Sequence, residues 1–168
     1  MSVFQTIKER RSIRKYKKEK VDPKIIEKIL EAGRLSHSAR NAQDWKFIAV
    51  TDEKTIEKLA ETMGQAFGFD ATLMIVGCGL KDAQKMFCNQ PRPAVDLSIA
   101  TQNMQLVAWE EGVGSCWIGH FDAEKAGEIL DLEEEYCPIT LTTMGYPDEE
   151  PKMRPRKAFD DVCFYRSE

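Results

Sequence analysis

The sequence predicts one globular domain that mixes helices with strands, and three observations carry that expectation. The 168-residue chain is 42% apolar and 31% charged, an ordinary globular balance at about one domain's length. Its apolar residues switch between the 3.6-residue helical repeat and short β-branched runs. Ten glycines and seven prolines are scattered, and no repeat, low-complexity tract or linker divides residues 1–168. A chain of this size buries roughly two-thirds of its unfolded surface, enough for a core without staples.

The elements follow in order. Val3, Phe4 and Ile7 make a short helical stripe that ends at a basic cluster. Asp22-Pro23 is a helix start, because Asp accepts from free first-turn N–H groups and Pro suits the first helical position. Ile25, Ile26, Ile29 and Leu30 then keep helical spacing up to Gly33, a plausible stop. Ser36 to Asp44 reads as a polar loop, and Trp45 to Val50 as a strand. A helix is expected over Glu53 to Met63, a buried strand over Thr72 to Gly77, and a long helix from Ala94 to Glu111, closed by Gly112. Val113 to Ile118 is the next strand, Ala123 to Leu130 a helix, and Ile139 to Met144 the last strand. Arg154 to Arg166 has no core of its own and must lie on something else.

The long helix has two apolar sides when wound at about 100° per residue. Val95, Ile99, Leu106 and Trp109 fall on one; Leu97, Ala100, Met104, Val107 and Ala108 fall on the other. Asp96, Asn103 and Glu110 occupy one polar seam between them, and Ser98, Thr101 and Gln105 the other. Gln102 and Glu111 interrupt the two apolar sides. Such a helix lies between two layers. One layer can belong to a second subunit, or the helix can be central in a monomer.

Net charge is −4, which disfavours a general nucleic-acid binder. The cations are nevertheless clustered: Lys8, Arg10, Arg11, Arg14, Lys15, Lys17, Lys18 and Lys20 near the start, and Lys152, Arg154, Arg156 and Lys157 near the end. Two local cation clusters in an acidic chain predict that at least one holds a small anion. The longest apolar run, Ala71 to Leu80, is about half a membrane span. Residues 1–10 lack a signal peptide's apolar segment. Cys78, Cys88, Cys116, Cys137 and Cys163 are odd in number, widely spaced and free of CxxC, which reads as reduced thiols in a cytoplasmic protein. With only His37 and His120 to join them, no metal site is expected.

Four segments can carry chemistry, each with a bland alternative. Arg10-Arg11-Ser12-Ile13-Arg14 offers guanidinium forks and a hydroxyl that can converge on a phosphate, or it is a solvated charged loop. Ser36 to Gln43 offers amides and hydroxyls able to read a planar heterocycle or polyol, or it is an ordinary surface turn. Gly112-Val113-Gly114-Ser115-Cys116-Trp117-Ile118-Gly119 lets backbone approach a flat ligand, or it is a tight helix-to-strand connection. Its glycine spacing is neither that of a dinucleotide fingerprint nor that of a P-loop. Cys116 beside Trp117 reads as inert core rather than a nucleophile. In an extended tail, Arg154 and Arg156 point the same way and can grip one phosphate; otherwise Arg154 to Lys157 is a solubilising tail. No hydrolytic triad stands out, so cofactor capture is favoured over side-chain acid–base work.

Taken in order, these segments resemble the FMN-dependent nitroreductase family. The resemblance runs from Glu9 to Tyr16, through Ser36 to Trp45, Asp96 to Met104, Gly112 to Gly119 and Met144-Gly145-Tyr146-Pro147, to Arg154-Pro155-Arg156-Lys157. It implies an α+β fold with a central mixed β-sheet wrapped by helices. It also implies a homodimer with FMN at the subunit interface and a C-terminal segment exchanged across it. Carried over by position, Arg10, Ser12 and Arg14 would meet the FMN phosphate, ribityl chain and pyrimidine edge, with Arg11 nearby. Ser38, Arg40, Asn41 and Gln43 would come from the other subunit's loop. Trp117, Ile118 and Gly119 would line the ring or ribityl side, and Arg154 and Arg156 the phosphate.

The implied activity is hydride transfer from NAD(P)H through flavin N5 to a small oxidised acceptor (nitroaromatic, quinone or similar) in two half-reactions. The flavin carries the chemistry, and no obligate catalytic side chain is expected; Arg14 is the candidate electrostatic stabiliser. The family often has Pro where this chain has His37 and again where it has Asp44. The stretch between the Ala71 strand and the long helix is short, leaving little sequence for a lid. A non-catalytic flavin- or phosphate-binding module, as carrier or sensor, shares the same cation clusters. A nucleic-acid module built on residues 8–20 would show steep salt dependence and no flavin. Neither a nucleic acid nor a membrane is an expected partner.

Overall fold

A computed structural model describes residues 2–64 and 67–166. The chain opens with α1 (Val3–Glu9), whose first turn is capped by the Ser2 hydroxyl accepting from Gln5 N at 3.2 Å. In α2 (Pro23–Arg34), the Asp22 carboxylate accepts from Lys24 N at 2.8 Å, as the Asp-Pro pair predicts. Gly33 is not a stop but a buried helical residue. A Cβ there would lie 2.9 Å from Met104 Sδ, so its bareness lets α2 press against the long helix. Strand β1 (Trp45–Val50) and helix α3 (Glu53–Thr62, capped by Asp52) sit where expected.

Strand β2 (Leu73–Leu80) runs three residues past the expected end, through Cys78, Gly79 and Leu80. Helix α4 spans Arg92–Glu110, and β3 (Gly114–Ile118), α5 (Ala123–Ile129) and β4 (Tyr136–Gly145) complete the set. Strand β4 starts three residues earlier than expected. Pro138 is tolerated there because β3 pairs only with residues 141–145, leaving the first half of β4 with a free side.

The sheet order is β1-β2-β4-β3, with every neighbouring pair antiparallel. The parallel component expected of a mixed sheet is confined, among the described residues, to an isolated bridge between Ser12 and Ser115. Helices cover both faces, which is why β2 is apolar throughout. Met74 and Val76 pack with Ile56 and Leu59 of α3, while Leu73 and Ile75 pack with Ile29 of α2 and Met104 and Ala108 of α4.

Helix α4 divides as its wheel predicts. Leu97, Ala100, Met104 and Ala108 are fully buried, whereas Val95, Ile99, Leu106 and Trp109 are half-buried. Val107, expected on the inner side, is also only half-buried. Beside the outer side, Val3, Phe4 and Ile7 of α1 and Leu35 are exposed. The second layer that this face needs is not supplied by the described residues. Residues 152–166 are exposed, including Phe159, Val162, Phe164 and Tyr165, and contain only a short 3-10 turn at Phe159–Asp161.

Candidate functional site

The basic cluster is placed by the end of α1 and by β3. Arg10 N donates to Thr6 O, closing the helix, and the Arg11 guanidinium donates to the carbonyls of Lys8, Glu9 and Arg10 at 2.7, 2.7 and 3.0 Å. The chain then runs extended beside β3, with Ser12 bridging Ser115 and Ile13 N donating to Ser115 O at 3.0 Å. Alternation buries Ile13 and leaves Ser12 and Arg14 half-buried on the other side. Gly114 makes this possible: a Cβ there would sit 2.6 Å from Ile13 Cγ1.

The tail reaches the same place through a second extended pairing. Lys17 N donates to Tyr146 O at 2.9 Å, Asp148 N to Lys15 O at 3.0 Å, and the Glu149 carboxylate accepts from Arg14 N at 2.5 Å and Lys15 N at 3.2 Å. The result is a hollow of about 160 Å³ lined from one side by Arg10, Arg11, Ser12 and Arg14. Pro151, Lys152, Arg154 and Arg156 line it from the other. Among the described residues, none of these six cations is in an ion pair. Burial pushes the Arg10 guanidinium below its ordinary range, and Arg156 and Arg11 beside it push the same way. Arg14 lies over the Phe67 ring, 5.5 Å from its centroid. A cluster of unpaired guanidinium groups with a hydroxyl is a phosphate-binding donor set.

The third segment borders this strip. In β3, Trp117 alone turns outward, and Gly119 beyond it is exposed. Ile118 is 2% exposed and packs in the core, so its side chain cannot line a ring and only its backbone is on offer. Arg11 lines the hollow, with its guanidinium engaged in closing α1. Cys116 is core: burial pushes its thiol up, against the opposing pull of Arg14 and Arg10.

The loop of Ser38, Arg40, Asn41 and Gln43 is not brought to the hollow. It winds as a short 3-10 turn (Ala39–Asn41) against α4, with Ala39 N donating to Asp96 Oδ1 at 3.0 Å and Gln43 N to Ser38 Oγ at 3.0 Å. Arg40 and Asn41 are exposed, so their side chains face outward from this chain.

Sequence reasoning missed Phe67 and Glu149, while Lys152, read only as part of the C-terminal cation cluster, lines the hollow. Phe67 stands between Gly64 and Gly68, both at positive φ, a glycine-bracketed aromatic signal that was readable. Glu149 was hidden in an acidic run, since only a contact across 135 residues distinguishes it from its neighbours. A larger cavity of about 530 Å³ lies between α5 and the start of β4, but Glu124, Glu128 and Asp131 line it and would repel a phosphate.

A family model described as the nitroreductase family matches residues 7–146. A protein of Methanothermobacter thermautotrophicus, provisionally described as an NADH dehydrogenase/NAD(P)H nitroreductase, is 35% identical over 161 residues, covering 92% of this chain and 82% of that one. Among solved structures, a nitroreductase family protein from Clostridium difficile 630 superposes with a TM-score of 0.89 at 29% identity, over 99% of both chains. An FMN-dependent nitroreductase from another C. difficile strain superposes with a TM-score of 0.84 at 30% identity, over 98% of this chain and 99% of that one. The ordered motifs, the helix-covered antiparallel sheet and these likenesses agree: the chain belongs to the nitroreductase family of oxidoreductases.

Proposed function

We propose that the protein is a homodimeric, FMN-dependent oxidoreductase, built as one domain, that takes hydride from NAD(P)H and reduces a small oxidised acceptor such as a nitroaromatic or quinone. The observation that carries the reading is the hollow in which six unpaired cations from residues 10–14 and 152–156 meet. A phosphate monoester carries about −1.5 to −2 charges at neutral pH, the counter-charge this donor set lacks.

The hollow suits only the phosphate end of FMN. At about 160 Å³ it falls below the roughly 300 Å³ at which sites for whole small molecules begin. The ring therefore needs walls from elsewhere. The outward Arg40, Asn41 and Gln43 of a second copy, with half-buried Ser38 beside them, are suited to supply them. The half-buried face of α4 and exposed Val3, Phe4, Ile7 and Leu35 offer that copy an apolar seat, with a groove of about 290 Å³ between α1, α2 and α4.

Bound FMN supplies an electrophilic N5 that accepts hydride from NAD(P)H and returns reducing equivalents to an acceptor, in a ping-pong sequence. The chain's own residues bind and tune it. Arg10, Arg154 and Arg156 neutralise the phosphate, and the Ser12 hydroxyl adds a short-range donor. Arg14, held against Phe67 and engaged with Glu149 only through its backbone, is the fixed cation set to stabilise negative charge at the pyrimidine edge. Trp117 and the backbone at Ile118 and Gly119 offer a wall beside the strip.

The test is the visible spectrum of the purified protein before and after anaerobic addition of NAD(P)H. Flavin bands that bleach, and return when an acceptor is added, are the expected result. A colourless protein that gains no flavin band with added FMN would overturn the reading. A flavin band that NAD(P)H leaves intact would instead support a non-catalytic carrier.

A further inference from the structure

The polar seam of α4 has a use that the cofactor contacts do not absorb. Arg92, Asp96, Asn103 and Glu110, wound at about 100° per residue, fall within about 40° of one line along the helix. Each grips a point in or next to a segment assigned above to the cofactor. Arg92 pairs with the Asp44 carboxylate. Asp96, buried at 5% exposure, accepts from Ala39 N at 3.0 Å. Asn103 Nδ2 donates to Ser36 Oγ at 2.8 Å. Glu110 accepts from Thr6 Oγ1 at 2.9 Å, in the helix whose end presents Arg10. The chain from Ser36 to Asp44 thus runs antiparallel along α4, held at both ends and near the middle.

That loop needs holding. Arg40, Asn41 and Gln43 have φ of 57°, 55° and 53°, a left-handed conformation that Arg and Gln resist and Asn tolerates better. Bonds within the loop from Asn41 N to Ser38 O and from Gln43 N to Ser38 Oγ give it a shape. They do not fix it to the body of the protein. The seam does.

We propose that Asp96 is a positioning residue: its buried carboxylate, with the Arg92–Asp44 pair and Asn103 as flanking ties, locks the 38–43 loop in the shape that reads the flavin's heterocycle and polyol. Asp96 acts through Ala39 and touches no cofactor itself. The Arg92–Asp44 tie fixes the far end of the loop by charge. This inference rests on the function proposed above.

The loop is assigned to the heterocycle and polyol rather than the phosphate, so the test separates those ends of the ligand. Affinities for FMN, riboflavin and inorganic phosphate (the last by competition) are measured on the dimer freed of flavin, for the parent, Asp96→Ala and Asp96→Asn. Losing one charged hydrogen bond is expected to weaken FMN and riboflavin together by about tenfold. Phosphate affinity should stay unchanged, and Asp96→Asn, which keeps an acceptor for Ala39 N, should restore most of the loss. Amide exchange over residues 39–43 should quicken in Asp96→Ala. Unchanged flavin affinity, phosphate affinity falling in step, or Asp96→Asn as weak as Asp96→Ala would each overturn the proposal. If Asp96→Ala fails to fold, the pair Asp44→Asn with Arg92→Met carries the same expectation from half-buried positions, and unchanged flavin affinity there overturns it. A parent protein that takes up no flavin defeats the proposed function, while the amide-exchange comparison still judges the clamp.

Discussion

Removing Arg156 should move stability and affinity in opposite directions. In the flavin-free protein, Arg156 is one of six clustered cations with no carboxylate partner among the described residues, and its charge presses on half-buried Arg10. Arg156 is itself exposed, so solvent screens that repulsion to the scale of an exposed pair, about 0.5 kcal/mol. Arg156→Ala should relieve it and raise the flavin-free midpoint by about 1–2 °C, at roughly 2–4 °C per kcal/mol for a chain of this size. The same change removes one charge-assisted hydrogen bond to a bound phosphate, of about 1.5–3 kcal/mol. FMN affinity should therefore fall by about ten- to a hundredfold, while riboflavin, lacking the phosphate, is little affected. Thermal unfolding without flavin and fluorescence titration with both flavins read the two effects separately. A lowered midpoint combined with unchanged FMN affinity would refute the assignment of Arg156 to an anion site.

Gly114→Ala should push Ile13 off β3, costing about 1–3 kcal/mol and weakening FMN binding with it; an unchanged unfolding midpoint counts against this. Phe4→Glu with Leu106→Glu places charge on the outer face of α1 and α4 and should convert a dimer to monomers that lose flavin, read by light scattering and absorbance; a flavin-loaded dimer would contradict the proposed seat. Burial pushes the Cys78 thiol up to about 12 from an ordinary value near 9.0, so thiol reagents at pH 8 should label exposed Cys88 and Cys163 first and leave Cys78 untouched until the protein unfolds. Because the folded state holds that proton more tightly than the unfolded chain, stability present below about pH 9 should drain away as pH rises toward 12. Cys78→Ala should flatten that decline, and an equally steep alkaline loss in the variant would remove Cys78 as its source.

Local chemistry made much of this fold legible. Asp22-Pro23 announces a helix because a capping carboxylate acts on a neighbour two residues away. The two apolar sides and polar seams of α4 follow from spacing alone. What the sequence hid depends on distant partners. Gly33 and Gly77 look like terminators until Met104 and Thr140 are seen pressing on them. The start of β4 at Tyr136 is set by pairing with Leu80, which no local signal reports. The site divides in the same way. The arginines were readable as a donor set, but their convergence depends on Glu149 bonding to backbone at Arg14 and Lys15. The role of the seam could not be read from a wheel, which shows that Asp96 and Asn103 share a side but not what they hold.

The sheet has two rims, and they differ. Beside β3 the chain itself lays Ser12 and Ile13 against Ser115, whereas β1 pairs only with β2 among the described residues. The outward amides and carbonyls of Trp45–Val50 thus remain a template for one more strand. If each copy lends a terminal segment to the other, both templates are filled at once, and association closes as a two-fold pair instead of propagating as a fibre.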